Sequence, residues 1–287
     1  CSAATATARP RWRACSQHSC RRSKAATSAE LEKLCQRPVS QDLVALLIES
    51  KYLRKECLVV ALGVDRQGGK HVLGLWHGAT ENSRVVKALL ADLQERGLSP
   101  EAGLLVVLDG AKALHPAVKD VLGDRAVIQR CRVHKLRNVM EHLPKEKRQQ
   151  ALWRLRAAWA KPKAEEALQA LRQVGVWLEG ICPWAARSLE EGPEETLMLH
   201  RLGTNERLEQ IFSTTNLIES CFSRTAAWTR RVTRWRDGRM ALRWGAAALL
   251  VAERGFRRVR GHEHVPELML ALDNYLKKGQ AGLQKAA

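Results

Sequence analysis

Three short apolar runs stand out early in the chain: Leu43 to Lys51 (LVALLIESK), Cys57 to Asp65 (CLVVALGVD) and Lys70 to Gly78 (KHVLGLWHG). Val and Leu dominate each run, and Arg-Gln-Gly-Gly joins the last two, so they predict an antiparallel meander with a hairpin at residues 66–69. The apolar period then lengthens. Val85, Leu89, Leu90 and Leu93 fall at helical spacing ahead of Gly97, which predicts a crossover helix over residues 81–97 with a glycine stop. A strand over GLLVVLD (103–109), a helix over AKALHPAVKDVLG (111–123) and a strand over AVIQRC (126–131) follow. Ahead of the meander, AELEKLCQRP (29–38) reads as a short helix stopped by Pro38. From His134 to about Arg187 the pattern is helical and rich in Trp, Leu, Arg and Lys, with no strand candidate. Helical and basic sequence returns through MALRWGAAALLVAERGFRRVRG (240–261), and one more helix is expected after Pro266.

The order β-β-β-α-β-α-β, three antiparallel strands followed by βαβα units, is that of a ribonuclease H-like mixed sheet. The predicted architecture is therefore α/β, a ribonuclease H-like sheet interrupted by an all-helical insertion and followed by C-terminal helices. Residues 1–28 are rich in Ala, Ser, Thr and Arg and are expected to be poorly ordered.

Charge narrows the class of partner. The chain of 287 residues carries 48 Lys and Arg against 30 Asp and Glu, a net charge of +18 spread along its length. That excess points to a polyanion such as nucleic acid, set against the plainer reading of a basic but merely soluble surface. No window reaches the roughly 18 apolar residues of a membrane span. Eight Cys at irregular positions make no dense disulfide framework, so reduced thiols and a cytoplasmic setting are expected. The first residue is Cys and the first 28 residues hold no signal sequence, so a truncated or frame-shifted start is expected.

Against this basic background Asp109 ends an apolar strand, at the carboxyl edge where ligand sites of open α/β sheets collect. The competing reading is an ordinary Asp-Gly turn. A second carboxylate, Glu219, follows Ser-Thr-Thr-Asn, where Thr215 or Asn216 can cap a helix and aim Glu219 from its first turn. Two hard oxygen ligands on separate elements suit Mg²⁺, and a pair of such ions about 4 Å apart suits phosphodiester chemistry.

Further on, Arg224, Arg230, Arg231, Arg234, Arg236, Arg239 and Arg243 surround Trp228 and Trp235, seven residues apart and predicted on one helical face. Arginines among aromatics suit backbone contact plus base stacking; the alternative is a solvated basic face over a Trp-anchored core contact. Lys135 and Arg137 are further candidates for phosphate contact. Trp153, Trp159, Trp177 and Trp184 read as core of the insertion. Cys131 and His134 have the spacing of half a zinc site, but no second pair is visible; a structural or DNA-proximal role and a buried, satisfied His remain open.

The segments DLVALLIESK, VVALGVDRQGGKHVLGLWHGATEN, ERGL, LLVVLDG, VIQRCRVHKLRN, ARSLEEGPEETLMLHRLG, TTNLIES and RRVRGHEHVPEL, in this order and spacing, resemble the Mutator-type DDE transposases of bacterial insertion sequences. The resemblance covers nearly everything from about residue 25. It implies residues 29–134 as the first part of a ribonuclease H-like catalytic core, 135–210 as the helical insertion, and 211–287 as the helix with the third acidic residue and the basic C-terminal helices. It implies catalytic, metal-binding roles for Glu49, Asp109 and Glu219, with Mg²⁺ or Mn²⁺ as cofactor. Cys131, His134 and Asn216 match family motifs of unassigned role. The implied partners are double-stranded DNA, namely terminal inverted repeats and target, bound by a homodimer. One position departs from the pattern: Glu49 stands where the family's first strand carries Asp. One extra methylene displaces the carboxylate by roughly 1 Å, an error that can cost about 100-fold. Impaired activity, or a non-catalytic DNA-binding remnant, is therefore expected. The resemblance also implies an N-terminal helix-turn-helix region, which residues 1–28 are not expected to supply.

Overall fold

The computed structural model describes residues 17–78, 83–110, 114–230, 232 and 234–286. Helix α1 (Gln17–Gln36) precedes strands β1 (Leu43–Leu53), β2 (Glu56–Asp65) and β3 (Lys70–Gly78). Helix α2 (Ser83–Glu95), strand β4 (Leu104–Leu108), helix α3 (Leu114–Leu122) and strand β5 (Ala126–Arg130) follow. The five strands form one mixed sheet in the order β3-β2-β1-β4-β5. β2 pairs antiparallel with β1 and β3, whereas β4 pairs parallel with β1 and β5.

The long apolar runs are explained by burial on both faces of this sheet. Leu46 and Ile48 of β1 join Val106 and Leu108 of β4 in a cluster closed by Val86, Leu89 and Leu93 of α2 and by Val118 of α3. Leu47, Leu105 and Val107 point the other way, into a cluster completed by the C-terminal half of the chain. The expected hairpin forms: Asp65 Oδ1 accepts from the Gln67 and Gly69 amides, and Gly68 takes φ +77. The β1–β2 turn, by contrast, consists of Arg54 and Lys55, with Arg54 at φ 58. No Gly or Asn marks it in the sequence.

Helices α4 (Arg132–Glu141), α5 (Lys145–Trp159), α6 (Ala164–Glu179) and α7 (Pro183–Glu190) enclose a separate core of Val139, Leu155, Leu171, Leu178 and Leu189. Two of the four insertion tryptophans behave as expected. Trp159 is buried, with Nε1 donating to Thr196 Oγ1 at 3.1 Å, and Trp177 packs at the edge of the core under the Arg154 guanidinium. Trp153 and Trp184 are instead 69% and 64% exposed, which corrects their assignment to the core.

The chain returns to the sheet through α8 (Met198–Arg201), α9 (Glu206–Phe212), α10 (Asn216–Thr229), α11 (Gly238–Glu253) and α12 (Val265–Ala286). Two further expectations are corrected. Residues 17–28, expected to be poorly ordered, are helical in α1, whose tail is held by Arg96 donating to the Leu34 and Arg37 carbonyls. The stretch from 224 to 243 is not one helix: α10 stops at Thr229, and Asp237 starts α11 by accepting from the Met240 amide at 2.7 Å. Trp228 and Trp235 therefore do not share a helical face.

Candidate metal centre

The register of the parallel strands builds the site. Ile48 pairs with Leu108, and Leu108 with Arg130, so Glu49, Asp109 and Cys131 all follow at the same carboxyl edge. Cys131 extends the β4–β5 ladder, its amide donating to the Leu108 carbonyl at 2.7 Å. It is also the N-cap of α4, its Sγ accepting from the His134 amide. That cap puts His134 in the first turn of α4, over the same edge.

From the opposite side α10 brings Glu219, whose amide donates to the Thr215 carbonyl. Thr215 is the N-cap residue, but its hydroxyl does not cap the helix. It lies 3.5 Å from Cys131 Sγ and 3.3 Å from His134 Nδ1 instead. Asn216 is exposed, and its amide donates to Thr214 Oγ1.

Ligand atoms of Glu49, His134 and Glu219 all lie within 4.8 Å of one another. His134 Nε2 is 4.0 Å from Glu49 Oε1 and 3.9 Å from Glu219 Oε1. Its other nitrogen, Nδ1, shares a hydrogen bond with Cys131 Sγ at 3.3 Å, which fixes the ring so that Nε2 faces the carboxylates. Asp109 joins this group electrostatically, since its charge acts on both Glu49 and His134. Glu49 is 7% exposed, and its Oε2 is buried with no hydrogen-bond partner.

The protonation states follow from this crowding. Burial, and then the charges of Glu219 and Asp109, push the Glu49 carboxyl up to about 7 against the opposing pull of His134 and Thr215. The hydrogen bond to Cys131, with help from Glu49 and Asp109, raises His134 to about 8 despite its burial. Burial alone would raise the Cys131 thiol, but His134 and Thr215 outweigh it and bring it below its ordinary value.

The basic candidates divide. Lys135 was expected on a phosphate; it is 1% exposed, with Nζ donating to the Ser188 and Glu191 carbonyls at 2.5 and 2.7 Å. It serves the end of α7, which corrects that expectation. Arg137 lies on the His134 side of α4 and contacts Glu219 at 3.3 Å, in a half-exposed pair. Arg230 and Arg234 are exposed, as is Arg224, which also donates to the Gly255 carbonyl at 2.9 Å. Trp228 is half-buried, Trp235 packs against the sheet-side core, and Arg231 lies outside the described residues. The participation of His134 in the acidic cluster is what reading the sequence missed. The Cys-x-x-His spacing marked the residue, but its partners come from β1 and α10, far away along the chain.

These features define an α/β protein with a crowded acid–histidine cluster at the carboxyl edge of a mixed sheet, able to hold a cation. Residues 22–245 match the family described as "Transposase, Mutator family", and the chain belongs to that family. It is 30% identical over 204 residues to the transposase for insertion sequence element IST2 of Acidithiobacillus ferrooxidans, covering 68% of each chain. It is also 30% identical over 195 residues to the ISRM3 transposase of Rhizobium meliloti (strain 1021), covering 67% of this chain and 47% of the relative. The IS6120 transposase of Mycolicibacterium smegmatis is 28% identical over 206 residues, covering 70% of this chain and 62% of the relative. The matched region thus spans from about half to two thirds of these relatives. Among the described residues, no helix is long and apolar enough to cross a membrane.

Proposed function

We propose that this chain is a DNA transposase of an insertion sequence that cuts element ends and joins them to target DNA with the help of Mg²⁺ or Mn²⁺, and that Glu49 impairs it. The observation that carries the reading is the convergence of Glu49, His134 and Glu219 on one point at the carboxyl edge, beside Asp109. A ribonuclease H-like core agrees with the strand order β3-β2-β1-β4-β5 and with its change from antiparallel to parallel pairing at β1.

The residues fit a hard divalent ion. Two carboxylates, Glu49 and Glu219, meet His134 at one edge within reach of the Asp109 charge, and a buried Glu49 oxygen lacks a partner, the arrangement a cation would relieve. In this reading Glu49, Asp109 and Glu219 would hold the ion, and His134, raised to about 8 and so mainly protonated at neutral pH, would have to release its Nε2 proton before that nitrogen could serve as a further donor. A bound ion would activate the attacking water or 3′-hydroxyl and stabilise the leaving oxygen. In the first step a water oxygen attacks phosphorus at the element end while the P–O3′ bond breaks, the proton the water gives up balancing the one the departing 3′-oxygen takes; in the second the freed 3′-hydroxyl attacks a target phosphorus and the target's own P–O3′ bond breaks, releasing a target 3′-hydroxyl. Arg224, Arg230, Arg231 and Arg234, with Trp228 for stacking and Arg137 nearer the site, would track duplex DNA. The setting would be the cytoplasm, at the nucleoid, with a homodimer bound to the DNA.

A second reading, a DNA-binding remnant without catalysis, is favoured by Glu49 itself. With its carboxyl near 7, it is about half protonated at neutral pH, and it is a methylene longer than the family's Asp. Mg²⁺-dependent nicking of a pre-bound duplex carrying an element end separates the two. The transposase reading expects slow nicking that Glu49→Asp accelerates and Asp109→Asn abolishes. If neither substitution changes the rate, the chain is a remnant.

A further inference from the structure

Beyond the cluster itself, the structure points to a brace for Asp109. We propose that Arg130 is a positioning residue that ties the Asp109–Gly110 turn to the C-terminal end of α7, so that the helical insertion holds the second carboxylate in place. The inference rests on Asp109 being a metal ligand.

Arg130 ends β5 directly opposite Leu108, one residue before Asp109 in the neighbouring strand. Its side chain is 8% exposed and uses both arms of the guanidinium. Nη2 donates to the Gly110 carbonyl at 2.7 Å, and Nη1 donates to the Glu191 carbonyl. One planar fork thus spans two backbone segments 81 residues apart in sequence, Gly110 in the core and Glu191 at the end of the insertion. Only Arg can do this, since a lysine ammonium on a flexible stem cannot reach both acceptors in fixed directions.

The turn needs such a tie. Gly110 has φ +97, and a β-carbon there would stand 2.3 Å from Arg130 Nε, so the backbone lies directly against the guanidinium. Among the described residues, a cleft of about 330 Å³ lined by Gly110, His115, Pro116, Glu191 and Glu195 opens beside it. The α7 end of the tie is itself secured: buried Lys135 donates to the Ser188 and Glu191 carbonyls, satisfying the free carbonyls of a helix terminus and placing positive charge at its negative end. The insertion is therefore joined to the candidate site by Glu191 O–Arg130–Gly110 O. This also accounts for a fully buried lysine in a sequence position that reads as DNA-binding.

The test is Mn²⁺ binding to the full chain, titrated in parallel with thermal melting for the wild type, Arg130→Lys, Gly110→Ala and Asp109→Asn. Residues supporting metal ligands typically change affinity by about 10- to 100-fold when replaced. Arg130→Lys is expected to weaken Mn²⁺ binding by about 10-fold while the fold and duplex affinity persist. Gly110→Ala, whose β-carbon would push the turn away from the Arg130 guanidinium, is expected to do likewise, and it carries the test if Arg130→Lys does not fold. A melting temperature that falls with an unchanged Mn²⁺ midpoint in both variants would reduce Arg130 to a structural role and overturn the proposal. If that happens while Asp109→Asn does weaken binding, the brace alone fails. If Asp109→Asn also leaves Mn²⁺ binding unchanged, the brace falls together with the reading of Asp109.

Discussion

At the acidic edge, Glu49, His134 and Glu219 come from three elements spread over 170 positions, yet their ligand atoms meet within 4.8 Å and are partly withdrawn from water. In the basic stretch, Arg224, Arg230 and Arg234 lie within eleven residues of sequence, yet they occupy a helix and the irregular segment after it, and their side chains are exposed. The first region concentrates charge by tertiary structure and shifts protonation; the second spreads charge along the surface. Concentrated carboxylates attract one ion in one geometry, whereas dispersed arginines meet a repeating polyanion whose phosphates need no single arrangement.

The sharpest way to break this contrast is to remove one charge from each region. Asp109→Asn or Glu219→Gln should lower Mg²⁺-dependent nicking by about 100-fold or more, as expected for errors in a metal-positioned reaction, while leaving duplex affinity within a factor of a few. A combined loss of both activities in a folded variant would mean that the two regions are not separable. Next in size, replacing Arg224, Arg230 and Arg234 together by Ala should weaken duplex binding and reduce the salt slope by about 0.9 per lost phosphate contact. Binding that is flat between roughly 50 and 200 mM salt in the unmutated chain would remove phosphate contact as the source of affinity.

The contrast follows from what strand register transmits. An apolar run ending in an acidic residue states both the strand and the edge at which that residue emerges, so Asp109 could be placed from sequence; Glu49 was marked only by the family resemblance, and β1 runs on past it to Leu53. Glu219 was legible through its helix start, although Thr215 turns its hydroxyl to Cys131 and His134 instead of capping. Lys135 was not legible, because nothing near it in sequence reveals that the end of α7 would fold over it and use it. The seven-residue spacing of Trp228 and Trp235 suggested one helix, but the Asp237 cap started a new one. The exposure of Trp153 and Trp184 reflects the same limit: local pattern states that a residue is apolar, and only packing states which face is covered.

A smaller effect separates the regions by pH. The Glu49 carboxyl is raised from 4.5 to about 7, so its charged form is disfavoured by folding. The ion-free protein should lose stability as pH rises from about 4.5 to 7 on its account. The His134 ring, raised from 6.5 to about 8, contributes stability that is complete below 6.5 and is lost through about 8. Both act in the same direction, so the melting temperature without divalent ion should fall between pH 5 and 8, and the rise produced by added Mn²⁺ should grow over that range. A Mn²⁺ effect independent of pH would place the ion elsewhere. Smallest of all should be Arg137→Ala: its half-exposed pair with Glu219 is worth about 0–1 kcal/mol at most, so stability should barely change.

The central claim is that these side chains together hold a divalent ion, and the most direct measurement is anomalous diffraction from crystals of the full chain soaked in Mn²⁺. The account predicts a peak at the carboxyl edge, in coordination contact with Glu49, Asp109 or Glu219 oxygens and absent from Asp109→Asn crystals. An ordered site at saturating Mn²⁺ with no peak there, or a peak that survives Asp109→Asn with unchanged height, would contradict it.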